Sequence, residues 1–123
     1  MDRAAANGRS SSSGASYYVI NKSSVASASG NSVSAGAYYL GRPWGAYARV
    51  TFQQCTISNV INSAGWRIWN SGDERTDHVS FVEYGNTGAG ASGSRASFAT
   101  KASSAVSITS ILGSTSWVDK EYL

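Results

Sequence analysis

The stretch from Tyr38 to Arg49 holds the residues of this chain that are best suited to bind a ligand. Its twelve residues include two arginines, four aromatic residues, two glycines and the only proline of the chain. Pro43 fixes its own φ and favours an extended backbone at Arg42. A guanidinium presents a rigid fork of donors to an anion, and an indole presents a flat face for stacking. Arg42 and Trp44 could therefore hold an anion beside an apolar ring, or the stretch could be a surface turn whose tryptophan covers the core.

Cys55 and His78 are the other side chains with reactive groups. Cys55 is the only cysteine, so it has no cysteine partner for a disulfide or a metal site. The alternating apolar residues around it favour a small buried side chain over a reactive thiol. His78 is the only histidine, and no Ser–Asp arrangement around it can be established from the sequence. We therefore expect no metal site and no cofactor.

The charges exclude some classes of partner. The ten Lys and Arg residues are spread along the chain and give a formal net charge of +3. Surfaces that bind nucleic acid cluster their basic residues, so the pattern predicts no nucleic-acid partner but is compatible with weak attraction to an acidic polysaccharide. No apolar run approaches the ~18–20 residues that span a bilayer, and none follows the N-terminal charges as in a signal peptide. The pattern predicts no membrane partner, and either a cytosolic chain or one whose targeting segment has been removed.

Small residues dominate the elements that must position these side chains. Ser, Ala and Gly make up 54 of the 123 residues, so we expect an architecture that stacks small side chains closely. β-branched and aromatic residues, alternating in places, predict short strands. These are Tyr17–Ile20, Arg49–Cys55, Thr56–Ile61, Trp66–Trp69 and Val79–Tyr84. Their spacing of roughly 15–25 residues is typical of the coils of a solenoid rather than of a sandwich.

The two ends of the chain differ from this middle part. Residues 1–15 are rich in Ala, Asn, Gly and Ser and are predicted to be a flexible segment. Apolar residues near helical spacing predict a helix over Ala99–Leu112, which Gly113 ends. Residues 16–98 would then form the solenoid, and residues 99–123 the helix and a tail. Asn21-Lys22-Ser23 is an acceptor pattern for N-glycosylation, which is informative only in a secreted protein.

Four blocks of the sequence carry a resemblance to one enzyme family. The central block is Tyr39-Leu40-Gly41-Arg42-Pro43-Trp44, which is similar to the Leu-Gly-Arg-Pro-Trp motif of the pectin methylesterases. The others are Asn7-Gly8-Arg9, Ala64-Gly65-Trp66 with Trp69, and Phe81 to Gly90, which reads Phe-Val-Glu-Tyr-Gly-Asn-Thr-Gly-Ala-Gly. The blocks occur in the family's order and extend over nearly the whole chain. Two further segments, Ala96-Ser97-Phe98-Ala99 and Ile111-Leu112-Gly113 with Ser116-Trp117-Val118, resemble the fungal members especially.

The resemblance implies an all-β fold, a right-handed parallel β-helix, and hydrolysis of the methyl esters of polygalacturonate in plant cell walls. It implies a secreted, extracellular protein whose partner is pectin. In this family one carboxylate attacks the ester, a second protonates the leaving methanol, and an arginine holds the first carboxylate. Matched by position, Arg42 takes the role of that catalytic arginine, and Trp44 and Trp66 line the sugar cleft.

The resemblance also implies that part of the family's machinery is missing. The two catalytic aspartates lie upstream of the Gly-Arg block in the family, and none of the aspartates in this sequence matches them. We therefore expect a truncated β-helix that is inactive or incomplete alone and that forms a homo-oligomer through its exposed end. The alternatives are a non-catalytic module that binds pectin or a partner of the enzyme, as a decoy or effector, and a β-solenoid scaffold that only assembles.

Overall fold

Short parallel strands form most of the regular structure. Within residues 2–123, the computed structural model contains eight strands, one α-helix and one 3-10 helix. The strands are β1 Arg3–Ala5, β2 Tyr18–Asn21, β3 Ser24–Val25, β4 Tyr39–Gly41, β5 Arg49–Gln53, β6 Thr56–Ile57, β7 Ser80–Tyr84 and β8 Ala99–Lys101. Helix α1 spans Ile108–Leu112, and the 3-10 helix spans Lys120–Tyr122.

The strands stack into three parallel sheets, with orders β1-β4, β2-β5-β7-β8 and β3-β6. The chain runs through one strand of each sheet in turn and then repeats the circuit above it. Tyr18 of β2 therefore pairs with Val50 of β5, which pairs with Phe81 of β7. This is the arrangement of a parallel β-helix, and it confirms the predicted fold class.

A left-handed turn recurs at the same place in three successive coils. Lys22, Gln54 and Gly85 each follow the strand of the large sheet and have φ values of 50°, 54° and 61°. Only glycine adopts this conformation without steric cost. Asn86 stabilises the turn at Gln54, because its side chain donates to the Phe52 carbonyl and accepts from the Cys55 amide.

Aromatic side chains fill the interior of the coils. Trp66 stacks on Phe81 with ring centroids 4.4 Å apart, and it meets Phe52 edge to face at 5.8 Å. Leu40, Val50, Cys55 and Ile57 are also buried. Burial of one such large side chain stabilises the fold by about 1.5–3 kcal/mol. The sequence prediction for Cys55 is confirmed, since it is a buried free thiol.

Two predicted segments at the ends of the chain need correction. Residues 1–15, expected to be a flexible segment, contain β1, which pairs in parallel with β4. Ladder hydrogen bonds form this strand without any apolar pattern in its own sequence. The predicted helix over Ala99–Leu112 is only the five residues of α1, because Ala99–Lys101 instead forms β8 on the edge of the large sheet. The β-helix therefore continues beyond residue 98.

The end of α1 agrees with the prediction. Ser107 caps its N-terminus by accepting from the Ser110 amide at 3.1 Å, and Gly113 is its C-cap with φ 75°. None of the residues of α1 is buried, so its apolar spacing does not face the core. Among residues 2–123, no helix has the length and the apolar character needed to cross a membrane.

Candidate functional site

Arg42 lies directly after β4, with its side chain largely covered by neighbouring backbone. Its Nε donates to the Ile68 carbonyl at 3.1 Å, and its Nη2 donates to the Trp69 carbonyl. Nη1 donates to both carboxylate oxygens of Asp2 at 3.3 Å. These contacts fix the plane of the guanidinium, as recognition of an anion requires.

Asp2 is surrounded by three guanidinium groups. Arg67 Nη1 donates to Asp2 Oδ2 at 2.6 Å, and Arg3 Nη1 contacts Asp2 Oδ1 at 3.4 Å, in addition to the contact with Arg42. Partial burial alone would raise the pKa of Asp2. The charge of Arg42 and the hydrogen bonds from Arg67, Arg42 and Arg3 outweigh that effect and lower the pKa below its usual value. One carboxylate thus occupies a site with an excess of positive charge, a partnership that the sequence did not indicate.

Two tryptophans lie beside this charged group. Trp69 has the guanidinium carbon of Arg42 5.3 Å from its ring centroid, and those of Arg3 and Arg75 at 5.4 and 5.0 Å. Trp44 meets Trp69 edge to face at 5.2 Å and is 56% exposed. Exposed indole faces beside fixed guanidinium groups suit a ligand with both apolar ring faces and anionic groups. We call Asp2, Arg42, Trp44, Arg67 and Trp69 the Arg42 surface.

Trp66, the second predicted cleft tryptophan, does not lie at the Arg42 surface. Trp66 is 1% exposed and lies in the core between Phe52 and Phe81. Its Nε1 donates to Glu83 Oε2 at 3.1 Å, so neither its faces nor its edge can meet a sugar. Trp69, which belongs to the same block of the sequence, lies beside Arg42 instead. The spacing of the two tryptophans does not show which of their rings points into the core.

Trp66 nevertheless packs against β4, the strand that directly precedes Arg42. A Cβ at Gly41 would lie 2.9 Å from Trp66 Cζ3, so the absence of a side chain lets the indole pack directly against β4. Glu83 holds that indole and is itself paired with Arg95, with Nε and Oε2 2.9 Å apart. Both partners of this pair are almost completely buried. The backbone that carries Arg42 thus lies on a fixed support.

The Asn7-Gly8-Arg9 block positions Trp44. The Asn7 carbonyl accepts from the Gly45 amide, and the Arg9 carbonyl accepts from the Tyr47 amide. The Arg9 side chain donates to the Gly14, Tyr47 and Ser12 carbonyls. A Cβ at Gly8 would lie 2.7 Å from Trp44 Cδ1, so the indole packs directly against the backbone of Gly8. This block therefore acts by holding the loop, not by contacting a ligand.

The family model for pectinesterases matches residues 2–110 of this chain. A pectinesterase from Aspergillus aculeatus is 59% identical over 119 residues, which is 95% of this chain and 36% of that protein. The chain belongs to the pectinesterase family. It spans about a third of the length of the relatives it matches.

Solved structures agree with this family assignment. The pectin methylesterase from Aspergillus niger, crystallised in deglycosylated form, has a TM-score of 0.84 and 37% identity, covering 98% of this chain and 39% of that one. A second form of the same enzyme carries an N-acetylglucosamine stub on an asparagine. The pectin methylesterase from carrot has a TM-score of 0.74 and 36% identity, with 83% of this chain and 33% of that one covered. The β-helix of this pectinesterase chain is thus that of solved pectin methylesterases.

Proposed function

We propose that this pectinesterase chain binds pectin at the Arg42 surface. The observation that carries the proposal is the fixed guanidinium of Arg42, which lies over the ring of Trp69, and the exposed ring of Trp44, which meets Trp69 edge to face. Galacturonate units present an apolar ring face and a carboxylate, and indole and guanidinium groups are suited to each. Hydrolysis of the pectin methyl ester is the reaction that the family relationship supports for the whole enzyme.

We further propose that residues 2–123 alone release little or no methanol. Ester cleavage by the family mechanism needs one carboxylate to attack and a second to donate a proton. Within residues 2–123, Asp2 is the one carboxylate that contacts Arg42, and its oxygens are engaged by three guanidinium groups. A carboxylate whose charge is balanced by three guanidinium groups is a weak nucleophile. The chain would then act as the pectin-binding part of an enzyme completed by other residues.

Assembly is the second function to consider, because the first strand of each sheet leaves an unpaired edge at the same end of the stacked coils. β1, β2 and β3 are each the first strand of their sheet, so within the described residues no strand covers their outer sides. Such edges are templates for pairing with another chain. We propose that the chain self-associates through them, which would also be the behaviour of a scaffold.

Secretion is part of the same proposal. Pectin is a component of plant cell walls, so a protein that binds it must leave the cell that makes it. The N-acetylglucosamine stub on the Aspergillus niger enzyme supports passage of that relative through a secretory pathway.

The test is a measurement of pectin binding and of methanol release by the purified chain. Methylated and demethylated pectins would be offered to the unmodified chain, to Arg42→Ala, and to Lys120→Ala as a charge-matched control in the exposed 3-10 helix. We expect binding that Arg42→Ala weakens and Lys120→Ala does not, and no methanol from any of the three. Methanol release that Arg42→Ala abolishes would overturn the proposal of lost catalysis, and unchanged binding by Arg42→Ala would overturn the binding site.

A further inference from the structure

The turn after β2 presents the only Asn-x-Ser/Thr triplet of the sequence, Asn21-Lys22-Ser23. All three residues are exposed. The triplet lies at the first of the three stacked left-handed turns, where Lys22 has a φ of 50°. The acceptor asparagine is therefore at the end of a strand, on the outside of the β-helix.

The local hydrogen bonds orient the asparagine amide. Gln53 Nε2 donates to Asn21 Oδ1 at 3.1 Å, and Ser23 Oγ donates to the Asn21 carbonyl at 2.9 Å. Among the residues that the structure describes, no protein atom accepts a hydrogen bond from Asn21 Nδ2. The oxygen of the amide is thus fixed on Gln53, while the nitrogen, which is the atom that a glycan would modify, remains available.

We propose that Asn21 is an N-glycosylation site. The modification joins Asn21 Nδ2 to C1 of a sugar from a polyprenyl-diphosphate oligosaccharide. The bond between C1 and the diphosphate oxygen breaks, the diphosphate leaves with the electron pair, and the amide loses one proton. The proposal rests on the secretion stated under the proposed function, because this donor is met in the secretory pathway.

A groove beside Asn21 gives the first sugars a place to lie. Its volume is about 440 Å³, and its lining includes Asn21, Gln53, Val106, Ile108, Leu112 and Tyr122. Tyr122 is 74% exposed and Leu112 is 42% exposed, which leaves apolar surface without a protein partner in residues 2–123. The apolar face of N-acetylglucosamine can pack against a tyrosine ring. A glycan at Asn21 would therefore cover part of this surface.

Secretion of the chain from a yeast host with an added leader peptide tests the site. We expect a mass increase that an endoglycosidase removes, and peptide mapping that places it on Asn21. Ser23→Ala should abolish the increase, whereas Ser23→Thr, which keeps the hydroxyl, should retain it. Ser24→Ala, a change of the same kind at an exposed neighbour outside the triplet, should also retain it.

A secreted, folded chain without the glycan would overturn the proposal, as would a glycan that persists in Ser23→Ala. Circular dichroism on each secreted variant establishes that it is folded, so absence of the glycan cannot be attributed to misfolding. Pectin binding is measured separately on chain made in a bacterial host without N-glycosylation. Failure of the Arg42 surface and failure of the Asn21 site therefore give different results.

The groove is tested by the effect of the glycan on stability. We expect removal of the glycan to lower the melting temperature of the secreted chain, and Tyr122→Ala to reduce that difference. An equal difference in both proteins would show that the sugar does not pack on Tyr122.

Discussion

Asp2 already neutralises part of the positive charge that a pectin carboxylate would meet. Its oxygens contact Arg3, Arg42 and Arg67, so an incoming galacturonate must compete with it for the same donors. Asp2→Asn keeps the shape of the side chain and removes its charge. We expect tighter binding of demethylated polygalacturonate by several-fold, about 1 kcal/mol, because a hydrogen bond to a charged group is stronger than one to a neutral group.

Calorimetric titration with demethylated and fully methylated oligosaccharides checks this prediction. Methylated units carry no carboxylate, so their affinity should change little. An equal gain for both ligands would show that Asp2 acts by occupying space and not by its charge.

The same residue should make stability depend on pH in acid. The pKa of Asp2 is lowered in the folded chain, so its contribution to the free energy of unfolding is present above the unfolded pKa. That contribution is lost as the pH falls through the folded pKa, which lies below the ordinary aspartate pKa of 3.8. We expect the free energy of unfolding, measured with urea, to fall more steeply for the unmodified chain than for Asp2→Asn as the pH falls from neutral to below this value. Parallel curves of unfolding free energy against pH for the two proteins would contradict the prediction.

The two most exposed tryptophans provide a matched pair of variants that test the proposed pectin-binding surface. Trp44 is 56% exposed at the Arg42 surface, and Trp117 is 69% exposed in the C-terminal tail. Loss of one stacking face costs about 1 kcal/mol, so Trp44→Ala should weaken pectin binding about fivefold. Trp117→Ala should leave the affinity unchanged, as measured by affinity electrophoresis in a pectin gel. A loss of the same size in both variants would indicate non-specific attraction to tryptophan.

At the level of the elements, the glycines of the Phe81 to Gly90 block allow one coil to lie against the next. A Cβ at Gly90 would lie 1.9 Å from the Ser58 carbonyl oxygen, a contact that backbone must move to relieve. Gly72 has a φ of 82° and open space around it, so Gly72→Ala costs only conformational strain. We expect Gly72→Ala to lower the free energy of unfolding by about 1 kcal/mol, and Gly90→Ala by about 3 kcal/mol or more.

Chemical unfolding of both variants checks this comparison, with the unmodified chain as reference. Equal losses would show that the coils can separate to admit a side chain at Gly90. The result matters for the site as well, because the packing of coils supports the backbone that carries Arg42.

Strands whose own residues are β-branched and aromatic could be predicted from the sequence. Strands that form only because a neighbouring strand pairs with them could not. The residues of β5 and β7 have β-branched and aromatic side chains, and both strands were found within one or two residues of the predicted ends. β1 reads Arg-Ala-Ala and is a strand only because β4 lies beside it. The same limit applies to the site: sequence blocks indicated Arg42 and Trp44, whereas Asp2 reaches Arg42 from forty residues away in the chain.

At the level of the whole molecule, the family resemblance predicted the parallel β-helix, whereas local patterns predicted only short strands at the spacing of a solenoid. The positions paired in the large sheet are as far apart as Tyr18 and Val50, so no short window of sequence contains a complete coil. The chain corresponds to 36% of its Aspergillus aculeatus relative in length, and its described strands still form the stacked coils of the family. Each coil contacts mainly its neighbours, so a solenoid can keep its local structure over a limited number of repeats.

The same modular architecture leads to the last prediction, which concerns the outer edges of β1, β2 and β3. We expect light scattering to show a mass above that of one chain, increasing with concentration, because unpaired parallel strands recruit another copy. Tyr18→Lys, at a side chain that is 45% exposed on β2, should shift the chain towards the monomer, since lysine on an edge strand disfavours pairing. Trp117→Lys removes a larger exposed aromatic from the tail and should leave the mass unchanged. A monomer at every concentration, or an equal effect of the two lysines, would mean that the edge strands do not form the interface.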